Sequence, residues 1–155
     1  MQKLKILNTR DIKRIREIMI DFYGAFFTDE YAYLQNEKNK IYLINKDLAK
    51  IDISKLRVDK IGLYLAEVKG NSLRLSKEGV QLLAKEAKGK LKNVVELDKE
   101  EIKKYFNGED LNKNAGVQNK FVLLSYLGDV FSCAKYKDGV IMNYLPKIHR
   151  GEVIL

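Results

Sequence analysis

The sequence predicts an α+β protein: a small N-terminal α/β domain over residues 1–92, followed by a C-terminal β pseudo-barrel over residues 93–155. Three observations carry this reading. Helical and strand periodicities mix in the first part, then a helical pattern stops at Gly89-Lys90-Leu91-Lys92-Asn93 and a strand-rich one begins. Charge divides at the same place: residues 1–92 hold 20 Lys+Arg against 12 Asp+Glu, and residues 93–155 hold nine of each. The length of 155 residues suits one typical domain or two very small ones, and 46% hydrophobic with 32% charged residues argues against disorder.

The elements follow in order. Asn8 or Thr9 caps a first helix, in which Ile12, Ile15, Met19, Phe22 and Phe26 recur at spacings of three and four. A mixed stretch follows, with a strand at residues 40–44. Residues 60–68 read as a strand, Gly70-Asn71 as a turn and residues 72–75 as the partner strand. Ser76 caps a helix through Leu82, Leu83 and Ala87, with Gly89 just past its end. Residues 94–97 form a short strand. Asp98 and Glu101 make a capping box for a helix through Ile102 and Phe106, closed by Gly108. Residues 121–127, 130–136 and 140–143 are three strands, joined by Gly128-Asp129 and Lys137-Asp138-Gly139. So small a sheet curls to protect its edges.

The catalytic inventory is sparse. There is no G-x-x-x-x-G-K-[ST] cradle and no G-x-G-x-x-G after a strand. With one cysteine, Cys133, and one histidine, His149, the chain has neither a disulfide framework nor a Cys/His zinc set. Asp98, Glu100 and Glu101 read as helix capping and dipole complements, not as metal ligands. Cys133 reads as a buried structural thiol, since a catalytic thiol needs a base or an electropositive niche. No apolar run spans a bilayer, and polar Asn8, Thr9, Arg10 and Asp11 interrupt the start where a signal peptide is apolar. The expectation is a cytoplasmic protein without cofactor, catalysis or membrane contact. The frequent Lys, Ile, Asn and Glu point to an AT-rich, heat-loving source.

A net charge of +8 favours a polyanionic partner, nucleic acid first. Lys85, Lys88, Lys90 and Lys92 form a positive run across the boundary, although such runs are commonly solvated faces. In the loop 108–116, backbone amides beside Gly108 can approach phosphates, and Lys113 stands in the same loop. Lys120, Lys135 and Lys137 extend the positive strip onto the meander. The tail Asn143-Tyr144-Leu145-Pro146-Lys147-Ile148-His149-Arg150 combines an aromatic ring for stacking, an amide for base edges and three groups able to meet phosphate. Tyr144 reads either as this stacking ring or as a half-buried residue of a terminal strand. His149 reads either as a solvated tail residue or as a stacking or phosphate-contacting side chain.

These residues carry a resemblance. The segment from Leu97 through Asp98, Glu101, Ile102, Tyr105, Phe106, Asn107 and Gly108 to Leu111 resembles the opening helix and glycine loop of a PUA RNA-binding domain. Phe121, Gly128-Asp129, Ala134-Lys135 and Asp138-Gly139, followed by Asn143, Pro146-Lys147 and Arg150, resemble the end of the RNA-binding region that follows the catalytic domain in the Fmu/Sun family of RNA cytosine-C5 methyltransferases. Upstream, Gly62 to Lys69 with Leu73-Arg74-Leu75-Ser76 and Leu82-Leu83-Ala84 is similar to that family's pre-PUA segment. A two-domain PUA ribosome-biogenesis factor of archaea and eukaryotes has the same arrangement. Two positions depart from the pattern: Ser132-Cys133-Ala134-Lys135 stands where a glycine usually precedes Gly-Lys, and Gly79 stands where the family often has His.

The resemblance implies RNA binding without methyl transfer, on structured rRNA or tRNA, in RNA modification or ribosome biogenesis. The other reading it leaves open is an adaptor that supplies an RNA-binding tail in trans to a methyltransferase or docks on a pre-ribosomal particle.

Overall fold

The computed structural model describes residues 3–50, 62–87, 89–116 and 120–151. Within them the chain is α+β, with ten strands in two five-stranded sheets. The first sheet has the order β1 (Lys5–Ile6), β2 (Ala32–Gln35), β3 (Lys40–Ile44), β4 (Leu63–Lys69), β5 (Ser72–Leu75), each neighbouring pair antiparallel. The second has the order β6 (Val94–Glu96), β8 (Phe121–Tyr126), β9 (Asp129–Lys137), β10 (Val140–Met142), β7 (Leu111–Asn112). Only β6 and β8 run parallel there, and the sheet curls around a core of its own. Among the described residues no strand of one sheet pairs with a strand of the other.

The helices end where local chemistry ends them. In α1 (Thr9–Tyr23), Asn8 accepts the Asp11 amide while Asp11 returns the contact to the Asn8 amide. The helix stops at Gly24, whose φ of 85° suits a residue without a side chain. In α2 (Lys77–Ala87), Ser76 Oγ accepts the Gly79 amide at 2.8 Å and donates to the Tyr64 carbonyl, so one hydroxyl both caps the helix and fastens it to β4. In α3 (Lys99–Phe106), Asp98 and Glu101 form the expected capping box, and the Glu101 backbone amide holds the Asp98 carboxyl below its usual range. Of the strand expected at residues 60–68, residues 60 and 61 lie outside the described residues, and β4 runs Leu63–Lys69. The sequence pattern passed over β1, β2 and β7.

The largest core belongs to both sheets. Tyr23 from α1, Leu65 and Leu73 from the first sheet, and Val80 and Leu83 from α2 pack with Phe121, Leu123 and Cys133 of the second. The other face of the second sheet closes over Leu97, Tyr105, Leu111, Val122, Leu124, Ala134 and Ile141. Strands β8 and β9 are therefore covered on both sides.

Simple alternation would place Phe131 with Cys133 on one buried face, and Val130, Ser132 and Ala134 on the other. A register shift between Leu124 and Ser125 puts a bulge in β9. Phe131 thereby turns to the α3 side, stacked on Phe106 at 5.7 Å and edge-on to Tyr105 at 5.8 Å. Cys133 faces the shared core, its Sγ 3.6 Å from the Tyr23 hydroxyl, which itself donates to the Leu73 carbonyl.

Burial pushes the Cys133 thiol up to about 11, so the thiolate is scarce at neutral pH. We expect iodoacetamide at pH 7 to leave Cys133 unmodified in the folded protein and to alkylate it in urea. Rapid alkylation without denaturant would contradict this packing.

Candidate nucleic-acid interface

Strand β9 carries a basic surface at one end of the second sheet. Its register sets Cys133 opposite Leu123, Lys135 opposite Phe121 and Met142, and Lys137 opposite Val140. Successive odd positions therefore leave the shared core and emerge as lysines. Lys120 joins them: its carbonyl accepts the Tyr136 amide at 2.8 Å, and its ammonium stands 5.8 Å from the centre of the Phe121 ring. Lys120 and Lys137 are exposed and Lys135 is half-buried. Among the described residues no carboxylate forms an ion pair with any of the three. Lysines at one end of a sheet, none of them held by a described carboxylate, can meet phosphates without first breaking an ion pair.

The tail leaves β10 beside this strip and divides into anchors and free groups. Asn143 is an anchor. Its side-chain amide donates to the carbonyls of Tyr105 (2.6 Å) and Glu109 (3.0 Å), its Oδ1 accepts the Leu145 amide (2.9 Å), and its backbone N–H meets Asp110 (2.8 Å). The expected reading of base edges by Asn143 gives way to this bracket, because both ends of the amide are engaged. Arg150 is a second anchor: its Nε donates to the Leu145 carbonyl at 2.9 Å, and its side chain lies over Gly108. The next residue, Gly151, donates to the Phe106 carbonyl. Tyr144, Lys147 and Ile148 remain exposed, and His149, in the 3-10 turn Lys147–His149, is half-buried.

The glycine loop also differs from the expectation. The amides of Gly108 and Glu109 donate to the carbonyls of Tyr105 and Lys104, so they finish α3 and do not form an open phosphate cradle. Gly108 adopts φ 88°, and a Cβ there would stand 2.8 Å from Arg150 Cδ. Its lack of a side chain makes the seat for Arg150. Lys113 bridges Glu101 Oε1 and the Glu96 carbonyl, both at 2.9 Å, which ties β7 to the start of α3 and draws the ammonium away from the loop surface. Gly108→Ala is expected to cost about 1–2 kcal/mol for the left-handed backbone alone. It should also speed hydrogen exchange at the Gly151 amide; an unchanged urea midpoint would contradict the seat.

The remaining predicted contacts sit elsewhere. Lys88 lies outside the described residues. Lys90 and Lys92 are exposed, but their backbone closes the end of α1: the Lys92 amide donates to the Tyr23 carbonyl at 3.0 Å, and the Lys90 carbonyl lies over Gly24. Lys85, Gly89 and Leu91 border a cleft with Gly128, Asp129 and Val130 at the β8–β9 turn. That turn is the opposite end of β9 from Lys135 and Lys137, roughly 20 Å away at the rise of an extended strand. Lys85 and the meander lysines thus stand at different ends of β9.

A second cleft, of about 670 Å³, opens between the sheets. Tyr64, Arg74, Lys77, Ser132, Tyr144 and His149 are among the residues that line it. The Arg74 guanidinium stands 4.6 Å from the centre of the Tyr144 ring and is held by Glu67 at 3.0 Å. Sequence reasoning did not single out Arg74. The signal was there in Leu73-Arg74-Leu75, where alternation turns Arg74 away from the core. Ser132 is satisfied inside the second core by the Tyr105 hydroxyl at 2.7 Å, and burial pushes that phenol up to about 12. Among the described residues no group of three or more His, Cys, Asp or Glu is placed to hold a metal ion, and no helix is long and apolar enough to cross a membrane.

Residues 92–150 match the family model of the methyltransferase RsmF PUA domain. No curated protein matches the chain. The curled sheet with its α3 connection is therefore a PUA-type region like that of Fmu/Sun methyltransferases, and RNA binding is the activity to which such a region points.

Proposed function

We propose that this chain is a non-catalytic RNA-binding protein that holds structured ribosomal or transfer RNA in the cytoplasm, in RNA modification or ribosome biogenesis. In this reading residues 1–92 and 93–155 act as two packed domains, the first bracing the second. The observation that carries the proposal is the cluster of Lys120, Lys135 and Lys137, free of described carboxylate partners, at one end of the PUA-type sheet. Lys147 and the Tyr144 ring stand on the tail that leaves the same end. Such a surface supplies salt-dependent affinity for phosphates.

The test is crosslinking in the native cell followed by sequencing of the bound RNA. Enrichment of rRNA or tRNA over a neutral control protein is the expected result; no enriched RNA would overturn the proposal. One observation favours a second reading, an adaptor for an RNA methyltransferase or a pre-ribosomal particle. Ile148 is 86% exposed on the tail, an apolar contact offered outward. Co-purification with a methyltransferase that survives nuclease treatment and is lost in Ile148→Asp would select it.

A further inference from the structure

The cleft between the two sheets is more than a seam. A tyrosine ring meets a guanidinium there: Arg74 lies 4.6 Å from the Tyr144 ring centre, and Glu67 holds Arg74 at 3.0 Å. Tyr144 is still 42% exposed, so ring surface beyond the Arg74 contact is open to a planar guest. Lys77, at the start of α2, and His149, on the tail turn, stand on the same cleft, with Glu78 as the nearby acid. The volume of about 670 Å³ lies within the range of sites that enclose small organic ligands. The first sheet and α2 line one side of the cleft, β9 and the tail line the other, and the two sheets share a core.

Resting on the RNA-binding reading above, we propose that this cleft receives one unstacked nucleotide of the bound RNA. Its base lies on the open surface of the Tyr144 ring, and its phosphate faces Lys77 and His149. Stacking on an aromatic ring tolerates any base, because every base has a π-face. A cation against the ring holds it in place by cation–π attraction. The lysines of β9 then take the flanking backbone, and the cleft takes a base that an unpaired end or bulge offers. The arrangement explains why a PUA-type sheet carries a first sheet packed beside it: Arg74, which meets the ring, belongs to that first sheet, while Tyr144 belongs to the tail.

The probe is a single-stranded RNA pentanucleotide with 2-aminopurine riboside at its centre, titrated into the full chain, with an RNA hairpin titrated in parallel. We expect binding with quenched fluorescence, a loss of affinity of about ten-fold or more in Tyr144→Ala, and retention of both affinity and quenching in Tyr144→Phe. Replacing the central residue with an abasic one should weaken the wild type by a similar factor and leave Tyr144→Ala little changed. Hairpin binding with full pentanucleotide affinity in a folded Tyr144→Ala would overturn the cleft while leaving the lysine surface standing. Complete displacement of the pentanucleotide by AMP at equal concentration would overturn it too, by assigning the cleft to a free nucleotide. A chain that binds neither RNA overturns the reading on which the cleft rests, and the cleft with it.

Discussion

Gly79→Ala should unfold or severely destabilise the protein, although alanine is the better helix former by about 1 kcal/mol. A Cβ at position 79 would stand 2.3 Å from the Leu65 carbonyl oxygen. That oxygen is backbone in β4 and already accepts the Ser76 amide at 2.8 Å, so it cannot swing away. Helix α2 cannot lift off either. Ser76 Oγ ties it to the Tyr64 carbonyl, and Val80 and Leu83 behind it are fully buried in the core shared by the two sheets. Overpacking against an unyielding neighbour costs about 3 kcal/mol or more, a large part of the 5–15 kcal/mol that typically holds a domain together. A urea midpoint equal to or above that of the unsubstituted chain would show that the helix–strand approach is looser than this.

Reversing Lys120, Lys135 and Lys137 together to Glu should abolish most RNA affinity at about 0.1 M salt while leaving the fold intact. Two of the three side chains are exposed, the third is half-buried, and none is tied to a described carboxylate, so their removal leaves no buried partner orphaned. Each phosphate contact contributes about 0.7–0.9 to the slope of log affinity against log salt, so losing three should flatten it by roughly 2–3. Lys85→Glu, beside the β8–β9 turn at the far end of β9, should change that slope little. If Lys85→Glu flattened it and the triple variant did not, the RNA would lie along the boundary segment.

What the sequence made legible was mostly local. The cap read as Asn8 or Thr9, the capping box at Asp98, the turns at Gly70 and Gly128, and the strands of the meander all lie within a few residues of the groups that define them. Strands β1 and β7 have two residues each and owe their existence to partners 28 or more positions away, so no periodicity announces them. The bulge in β9 escaped for a related reason: alternation predicts two faces, and only the register against β8 shows that Phe131 and Cys133 part company.

The candidate site divides along the same line. Charge and ring types were readable for Lys120, Lys135, Lys137 and Tyr144, whose side chains the fold leaves accessible. Residue type said nothing about Asn143, Lys113 or Arg150, because what they do depends on Tyr105, Glu101 and Gly108, which are 38, 12 and 42 positions away. A polar side chain can serve the fold or a ligand, and only its partners distinguish the two.

The account stands on RNA lying along the Lys135 end of the second sheet. Ultraviolet crosslinking of the full chain to its RNA, followed by mapping of the modified peptides, tests this most directly. Adducts on the peptides that carry Lys120, Lys135, Lys137 and Tyr144 are the predicted result. Adducts confined to the Arg10, Lys13, Arg14 and Arg16 helix or to Lys85, Lys90 and Lys92, with none on β9 or the tail, would contradict it.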